Sequence, residues 1–342
     1  MRNDQSVTCK KATIVLGSAL VFLMIFLLSF FLGKFPISLT DFWRATFNKV
    51  VPFKQTWSSQ VEVVLFQIRF PRIILAAVIG AGISIAGATY QAIFQNPMIS
   101  QDILGASNGA AFGAATALFF ALTYQQVIGL SFLFGLLAVG SVLVIDRFLR
   151  STATLKLVLI GLMIGSLFSS AVSFLKLVCD PTNTLPAITY WLMGSLASSN
   201  QHNVFFAVPL ILLGMLPIFL LRWQLNMLAL GEEEALTLGV NSSFLRLVFI
   251  ACATLITAAA VSVSGLIGWV GLVVPHFSRI LVGQDHRFSI PTTALLGSSF
   301  LLLVDNCSRL LTTSEIPIGI LTSFIGAPIF LILLVQDSRA VR

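Results

Sequence analysis

The sequence predicts an all-α fold, a polytopic transmembrane bundle of about ten spans, from its composition, its long uncharged runs and the placement of its cations. Only 10% of the residues are charged, 57% are hydrophobic, and the mean hydropathy is +0.98. Water-soluble domains carry roughly 25% charged residues, so a soluble core is excluded. Uncharged runs of about 20 residues, enough to cross a bilayer, recur along the whole chain. The expected spans are 12–33, 62–82, 103–122, 127–146, 157–178, 204–222, 245–264, 268–283, 289–306 and 317–335, forming one domain over 1–342.

The first span follows Lys10 and Lys11, which hold residues 1–11 in the cytoplasm. Its apolar run is too long for a signal-peptide core, and no small-residue cleavage site follows it. The second carries Ala76, Gly80 and Ser84 at four-residue spacing, with Gly82, Ala86 and Gly87 beside them. Small residues so spaced let helix backbones approach closely. The third opens on GASNGAAFG (105–113), which repeats the pattern, so both spans belong inside the bundle. RFLRSTATLK (147–156) joins spans four and five, and 224–243 joins six and seven. Breaks fall at Asn96–Pro97, Gly265–Gly271 and Pro275. Non-helical backbone at membrane depth survives only when buried in protein or lining a watery cavity, which points to a conduit. The last two spans return the C-terminus to the cytoplasmic side. With that orientation, twelve of the 20 Lys and Arg fall inside and eight outside, a modest positive-inside bias.

The net charge of +7 lies at span ends, which suits topology and lipid headgroups better than nucleic acid. Cys9, Cys179, Cys252 and Cys307 form no CxxC and read as apolar filler. His276 and His286 have no second ligand at metal spacing and read as structural. Asp305 and Lys176 sit near outer span ends, within reach of water. Walker A, HExxH and GxSxG patterns are absent, so no catalytic residue, metal site or nucleotide site is expected on this chain. Nor does a chain of carboxylates run through the spans, which leaves an ion-coupled secondary transporter as the remoter alternative.

Three adjacent acids, Glu232, Glu233 and Glu234, stand out in a chain with only 13. They follow Leu230 and Gly231 and precede Ala235, Leu236, Leu238 and Gly239. Ala, Leu and Glu favour helix, acids suit a helix start, and Gly239 can end it. The product is a short cytoplasmic helix, either a plain solvated loop or a knob that docks into a soluble partner.

Six segments carry a resemblance: RFPRIILAAVIGAGISIAGATYQAIFQNPM (69–98), ILGASNGA (103–110), YWLMGSL (190–196), LALGEEEALTLGV (228–240), SGLIGWVGLVVPHFSRILVGQDHR (264–287) and EIPIGILTSFIGAPIFLILL (315–334). In that order they resemble the permease subunit of type II ATP-binding-cassette importers, the family of cobalamin, ferric-siderophore, haem and molybdate permeases. Departures are small: Thr89–Tyr90–Gln91 replaces a bulkier aliphatic, and Ile99–Asp102 lacks a second proline. The resemblance implies that Leu230–Leu236, Leu238 and Gly239 couple to an ATPase. It implies that Arg69, Arg72 and Arg309 receive acids of a periplasmic or lipid-anchored substrate-binding protein, the alternative being lipid headgroups. It places a cytoplasmic gate at Ser151, Thr152 and Thr154, which would otherwise cap the next helix, and has spans five and ten line the path. It implies a homodimer in the bacterial inner membrane with two ATP-binding subunits, which hold the ATP and Mg. Iron chelates lead as cargo because they are the family's commonest, with cobalamin, haem and molybdate or tungstate as alternatives.

Overall fold

Lipid offers no hydrogen bonds to a peptide group, so a spanning chain must satisfy its backbone within each helix. The computed structural model, which describes residues 2–48, 51, 57–149, 154–237 and 239–340, is helical throughout and contains no strand among those residues. Helix α1 (Arg2–Ser29) crosses first and α2 (Leu39–Asn48) follows. Then α3 (Ser59–Glu62) runs through a π-helical stretch, Val63–Arg69, into α4 (Phe70–Ile93). The chain continues through α5 (Ala106–Phe119), α6 (Tyr124–Phe148), α7 (Thr154–Val178), α8 (Thr184–Leu192) and α9 (Gln201–Leu220). Two short helices, α10 (Arg222–Leu230) and α11 (Glu232–Thr237), lead to α12 (Ser242–Ser264), α13 (Val270–Val282), α14 (His286–Leu310) and α15 (Ile318–Ala340).

Each expected span overlaps a helix. Among the described residues, seven helices are long and apolar enough to cross a membrane, and Val270–Val282 and Ile318–Leu333 are shorter apolar stretches. The second span differs most, since its helix continues unbroken from Ser59 to Ile93. Gly82, Ser84, Gly87, Thr89 and Gln91 dilute the hydropathy that set the expected end at residue 82. All five are buried against other helices, where small or polar side chains meet protein instead of lipid.

Helix α4 is the axis of the bundle. The span that contains it is 89% buried within the chain, whereas the first span is 17% buried. It packs on α9, α12, α13 and α14. A Cβ on Gly80 would run into the Gly297 carbonyl of α14, and one on Gly87 into the Gly271 carbonyl of α13. At Gly82 it would lie 2.7 Å from Ile211 of α9 and 2.9 Å from Ile256 of α12. Across the α4–α14 contact, Ser298 Oγ donates to the Ala77 carbonyl at 2.8 Å.

Helices α1 and α14 run side by side in one direction. Lys11 Nζ lies 5.7 Å from the Phe288 ring near their starts, and Asn306 Nδ2 donates to Ser29 Oγ at 2.8 Å near their ends. The start of α14 therefore shares one end of the bundle with the start of α1, here called the N-terminal end. The break in Gly265–Gly271 takes the form of a turn between α12 and α13, with Gly265 at φ 68° and Trp269 at φ 70°. Pro275 stays within α13.

Because the Gly271 backbone cannot yield as a flexible side chain can, Gly87→Ala should destabilise the protein by about 1–3 kcal/mol. Gly129→Ala should be neutral, since nothing lies within 4 Å of the added methyl. Thermal unfolding of the purified variants checks this, and equal midpoints for the two would refute the packing account.

Candidate functional site

At the N-terminal end, α10 and α11 form an elbow. Gly231, at φ 126°, makes the corner, and the Ala235 amide donates back to the Gly231 carbonyl at 3.0 Å. Ala235 is fully buried and seats α11, whose first turn carries Glu232, Glu233 and Glu234. The Val240 amide donates to the Ala235 carbonyl at 3.0 Å, and Gly239, at φ 76°, is exposed beyond it. Leu238 lies outside the described residues. Glu234 is exposed, and Leu230 is 60% exposed beside it. An acid and a large aliphatic thus face outward together from a fixed corner.

The elbow is fastened to the bundle behind it. Gln95 Nε2 donates to the Leu228 carbonyl at 3.4 Å. Asn226 Nδ2 donates to Asp285 Oδ1 at 2.9 Å, and Asn226 Oδ1 accepts from the His286 amide at 2.8 Å. The Arg287 guanidinium stacks 4.3 Å over the Trp223 ring. These contacts hold α10 to the turn after α4 and the start of α14. Neither Asn226 nor Gln95 was singled out from sequence, since lone amides in a loop carry no spacing signal.

The opposite end of α4 and α14 holds a second constellation. Arg72 Nε donates to Asp305 Oδ1 at 2.8 Å, and its Nη1 lies 2.9 Å from Glu315. Arg309 Nε lies 3.1 Å from Asp305 Oδ2, and its Nη2 donates to Asn306 Oδ1. Arg309 Nη1 donates to the Leu32 carbonyl at 3.2 Å, while Arg69 donates to the carbonyls of Phe30 and Phe35. All three arginines are buried. Within the chain, Arg72 and Arg309 pair with its own acids and Arg69 bonds to backbone carbonyls. Asp305 and Glu315 serve Arg72, and Asp305 serves Arg309, because a guanidinium withdrawn from water needs an internal counter-charge. Asp305, expected within reach of water, is instead 0% exposed.

Along α7, Ser166, Ser170 and Ser173 share one exposed face with Met163 and Leu177. On α15, Ser323 and Phe324 are exposed and help to line a cavity of about 550 Å³ with Met193, Leu266 and Gly319. Ser173 Oγ donates to the Ser169 carbonyl at 3.0 Å and Ser323 Oγ to the Gly319 carbonyl at 2.8 Å. Such back-bonded hydroxyls give a helix a mildly polar face at little desolvation cost. Of the gate candidates, Ser151 and Thr152 lie outside the described residues, and Thr154 is the first residue of α7. Among the described residues, no group of three or more His, Cys, Asp or Glu is placed to hold a metal.

Known proteins share this architecture. The model of the FecCD transport family matches residues 20–336. A molybdate import system permease protein of Haemophilus influenzae is 38% identical over 332 residues, covering 95% of this chain and 96% of that protein. A probable iron chelatin transport system permease protein of Helicobacter pylori is 38% identical over 276 residues, 81% of this chain and 83% of that one. A solved inward-facing structure of a metal-chelate type ABC transporter superposes with a TM-score of 0.85 at 37% identity, covering 95% of this chain and 99% of that one.

Removing one partner of a buried ion pair strands the other charge. Asp305→Ala, which strands two arginines, should cost about 3–5 kcal/mol. Glu315, with a side chain 31% exposed, should cost about 1 kcal/mol as Glu315→Gln. Unfolding midpoints in detergent measure both, and a harmless Asp305→Ala would contradict the internal role.

Proposed function

The chain belongs to the FecCD transport family and is a permease of the ABC-importer type, and from that premise we propose that two copies enclose a path for a metal chelate, a ferric siderophore first among them. A separate ATPase, carrying ATP and Mg, supplies the energy at the N-terminal, cytoplasmic end in the bacterial inner membrane. A substrate-binding protein delivers cargo at the other end. The serine-bearing faces of α7 and α15 line the path, and Ser151, Thr152 and Thr154 close it. Nucleotide drives alternating access only so far as it discriminates between the two conformations.

The observation that carries this reading is the elbow at Leu230–Gly239. It exposes Glu234 and Leu230 to solvent while its back is bonded to α4 and α14. A basic-rimmed cleft on a soluble partner matches an acidic knob with an apolar flank. Force applied there reaches the centre of the bundle through Gln95 and Asn226. Molybdate is the second reading, favoured because similarity to the Haemophilus influenzae molybdate permease spans 332 residues.

Replacing Glu232, Glu233 and Glu234 together by lysine should reduce recovery of the ATPase with the tagged permease at least about tenfold, as repulsive charges at an interface cost several kcal/mol. Cargo uptake should fall in parallel. Wild-type uptake in that variant would remove the elbow from the interface. In proteoliposomes with ATPase and binding protein, uptake of labelled ferric siderophore supports the first reading and uptake of molybdate the second. Uphill uptake without the ATPase would overturn both in favour of ion coupling.

A further inference from the structure

The end of the bundle opposite the elbow holds a cavity that neither the buried arginines nor the path uses. It has a volume of about 550 Å³ and lies between the starts of α6 and α9. Helix α9 ends where α10 begins the elbow, so its start, at Gln201, lies at the other end. Both α6 and α9 pack against α12 and leave the cavity between their first turns. Each is apolar enough to cross a membrane from its first turn onward, which sets the cavity at the bilayer surface, where lipid phosphates lie.

Two helix starts therefore converge on it. The first-turn amides of a helix have no intrahelical acceptor and carry the positive end of its dipole. On α6, Gln126 Oε1 accepts from the Thr123 amide at 2.9 Å, and on α9 Asn200 Oδ1 accepts from the Asn203 amide at 3.0 Å. The amides of Tyr124, Gln125, Gln201 and His202 have no acceptor among the described residues. No carboxylate lines the cavity among those residues either.

Asn203 supplies the opposite polarity. It is 1% exposed and lines the cavity. Its Nδ2 donates to Tyr124 Oη at 3.0 Å and to the Ser198 carbonyl at 3.3 Å. That carbonyl fixes the amide, because a flipped one would set oxygen against oxygen. Its Oδ1 is left with no donor among the described residues, and a buried acceptor in that state calls for a donor from outside the chain.

Deeper in the spans the walls turn apolar. Ile128 and Phe206 complete the lining, and Phe206 meets Phe132 edge to face at 5.5 Å. Beyond them, Leu133 and Leu137 on α6 and Leu213 on α9 are exposed. Gly129 leaves the wall open, since nothing lies within 4 Å of a Cβ added there.

We propose that this cavity seats the headgroup of a phospholipid from the leaflet at that end. The amides of the two helix starts take its phosphate, as helix N-termini take anions. Asn203 Oδ1 takes an N–H or O–H of the headgroup, such as ethanolamine or glycerol provides, and the acyl chains lie on the apolar faces below. An inorganic anion would leave Asn203 without a donor, and a neutral polyol would leave the amides without an anion. A phospholipid headgroup answers both. The inference rests on the membrane-spanning fold and not on the cargo or the ATPase.

Native mass spectrometry of the purified full-length protein, delipidated and titrated with dioctanoyl lipids, tests the proposal. One phospholipid per chain should bind most tightly. Phosphatidylethanolamine and phosphatidylglycerol should each bind about fivefold more tightly than phosphatidylcholine, whose headgroup lacks the donor. Dioctanoylglycerol, which lacks the phosphate, should not compete. Gly129→Leu fills the cavity at an open position and should abolish the tight binding. Gln201→Pro removes one amide but keeps the helix start, since Asn200 before it is already extended. It should weaken binding about tenfold, the worth of one hydrogen bond to a charged group. The two changes lie on different helices, so a variant that fails to fold leaves the other decisive. Equal affinity for phosphatidylcholine would overturn the proposal, as would glycerol 3-phosphate binding as tightly as the lipids. Unaltered lipid binding in a folded Gly129→Leu or Gln201→Pro protein would do the same.

Discussion

Everything else in the molecule depends on burying α4 without a hydrophobic force to do it. Lipid tails are as apolar as leucine, so helices in a bilayer gain little from hiding oil from oil. Close backbone approach and interhelical hydrogen bonds must supply the attraction. Helix α4 uses both. Gly80 and Gly87 bring it against the backbones of α14 and α13, where any side chain would collide. Its two ends are then fastened by polar groups, Arg72 at one and Gln91 with Gln95 at the other.

Those fastenings divide the bundle into parts of different stiffness. Helices α4, α12, α13 and α14 interlock through small residues and buried polar contacts, and a slide of α4 along α14 would break the Arg72–Asp305 pair and the Ser298–Ala77 bond together. The interaction is expensive to disrupt because both charges of the pair lack access to water. Helices α1, α6, α7 and α9 instead show long aliphatic faces outward, which suit lipid or a second chain. The elbow is bonded to this interlocked part, through Gln95 beyond α4 and Asn226 at the start of α14.

Much of this was legible in the sequence, and what was not has physical causes. Apolar runs give the spans because the bilayer imposes a length on them. The small-residue ladder gives the inner position of α4, since only protein contact makes use of glycines at helical spacing. The same ladder concealed the length of α4, because a helix packed on protein can carry Ser84, Thr89 and Gln91 that a lipid-facing one would avoid. Helices α2 and α8 went unforeseen because each is too short to leave a span-length signal.

The arginines show most clearly what a linear reading lacks. A cation at a span end satisfies the topology rule equally well whether it points to water or inward, and only its counter-charge decides. For Arg309 that partner was within reach: Asp305 stands four residues earlier, on the same face of one helix. For Arg72 the partners are Asp305 and Glu315, 233 and 243 residues away. Two acids serve two guanidinium groups, and the third, Arg69, bonds to the Phe30 and Phe35 carbonyls beyond the end of α1. Carbonyls beyond the last turn of a helix have no intrahelical donor and are open to such bonds. The end of α1 therefore supplies the acceptors of a third buried arginine, and it ties the first helix of the chain to the axis on which α9, α12, α13 and α14 pack.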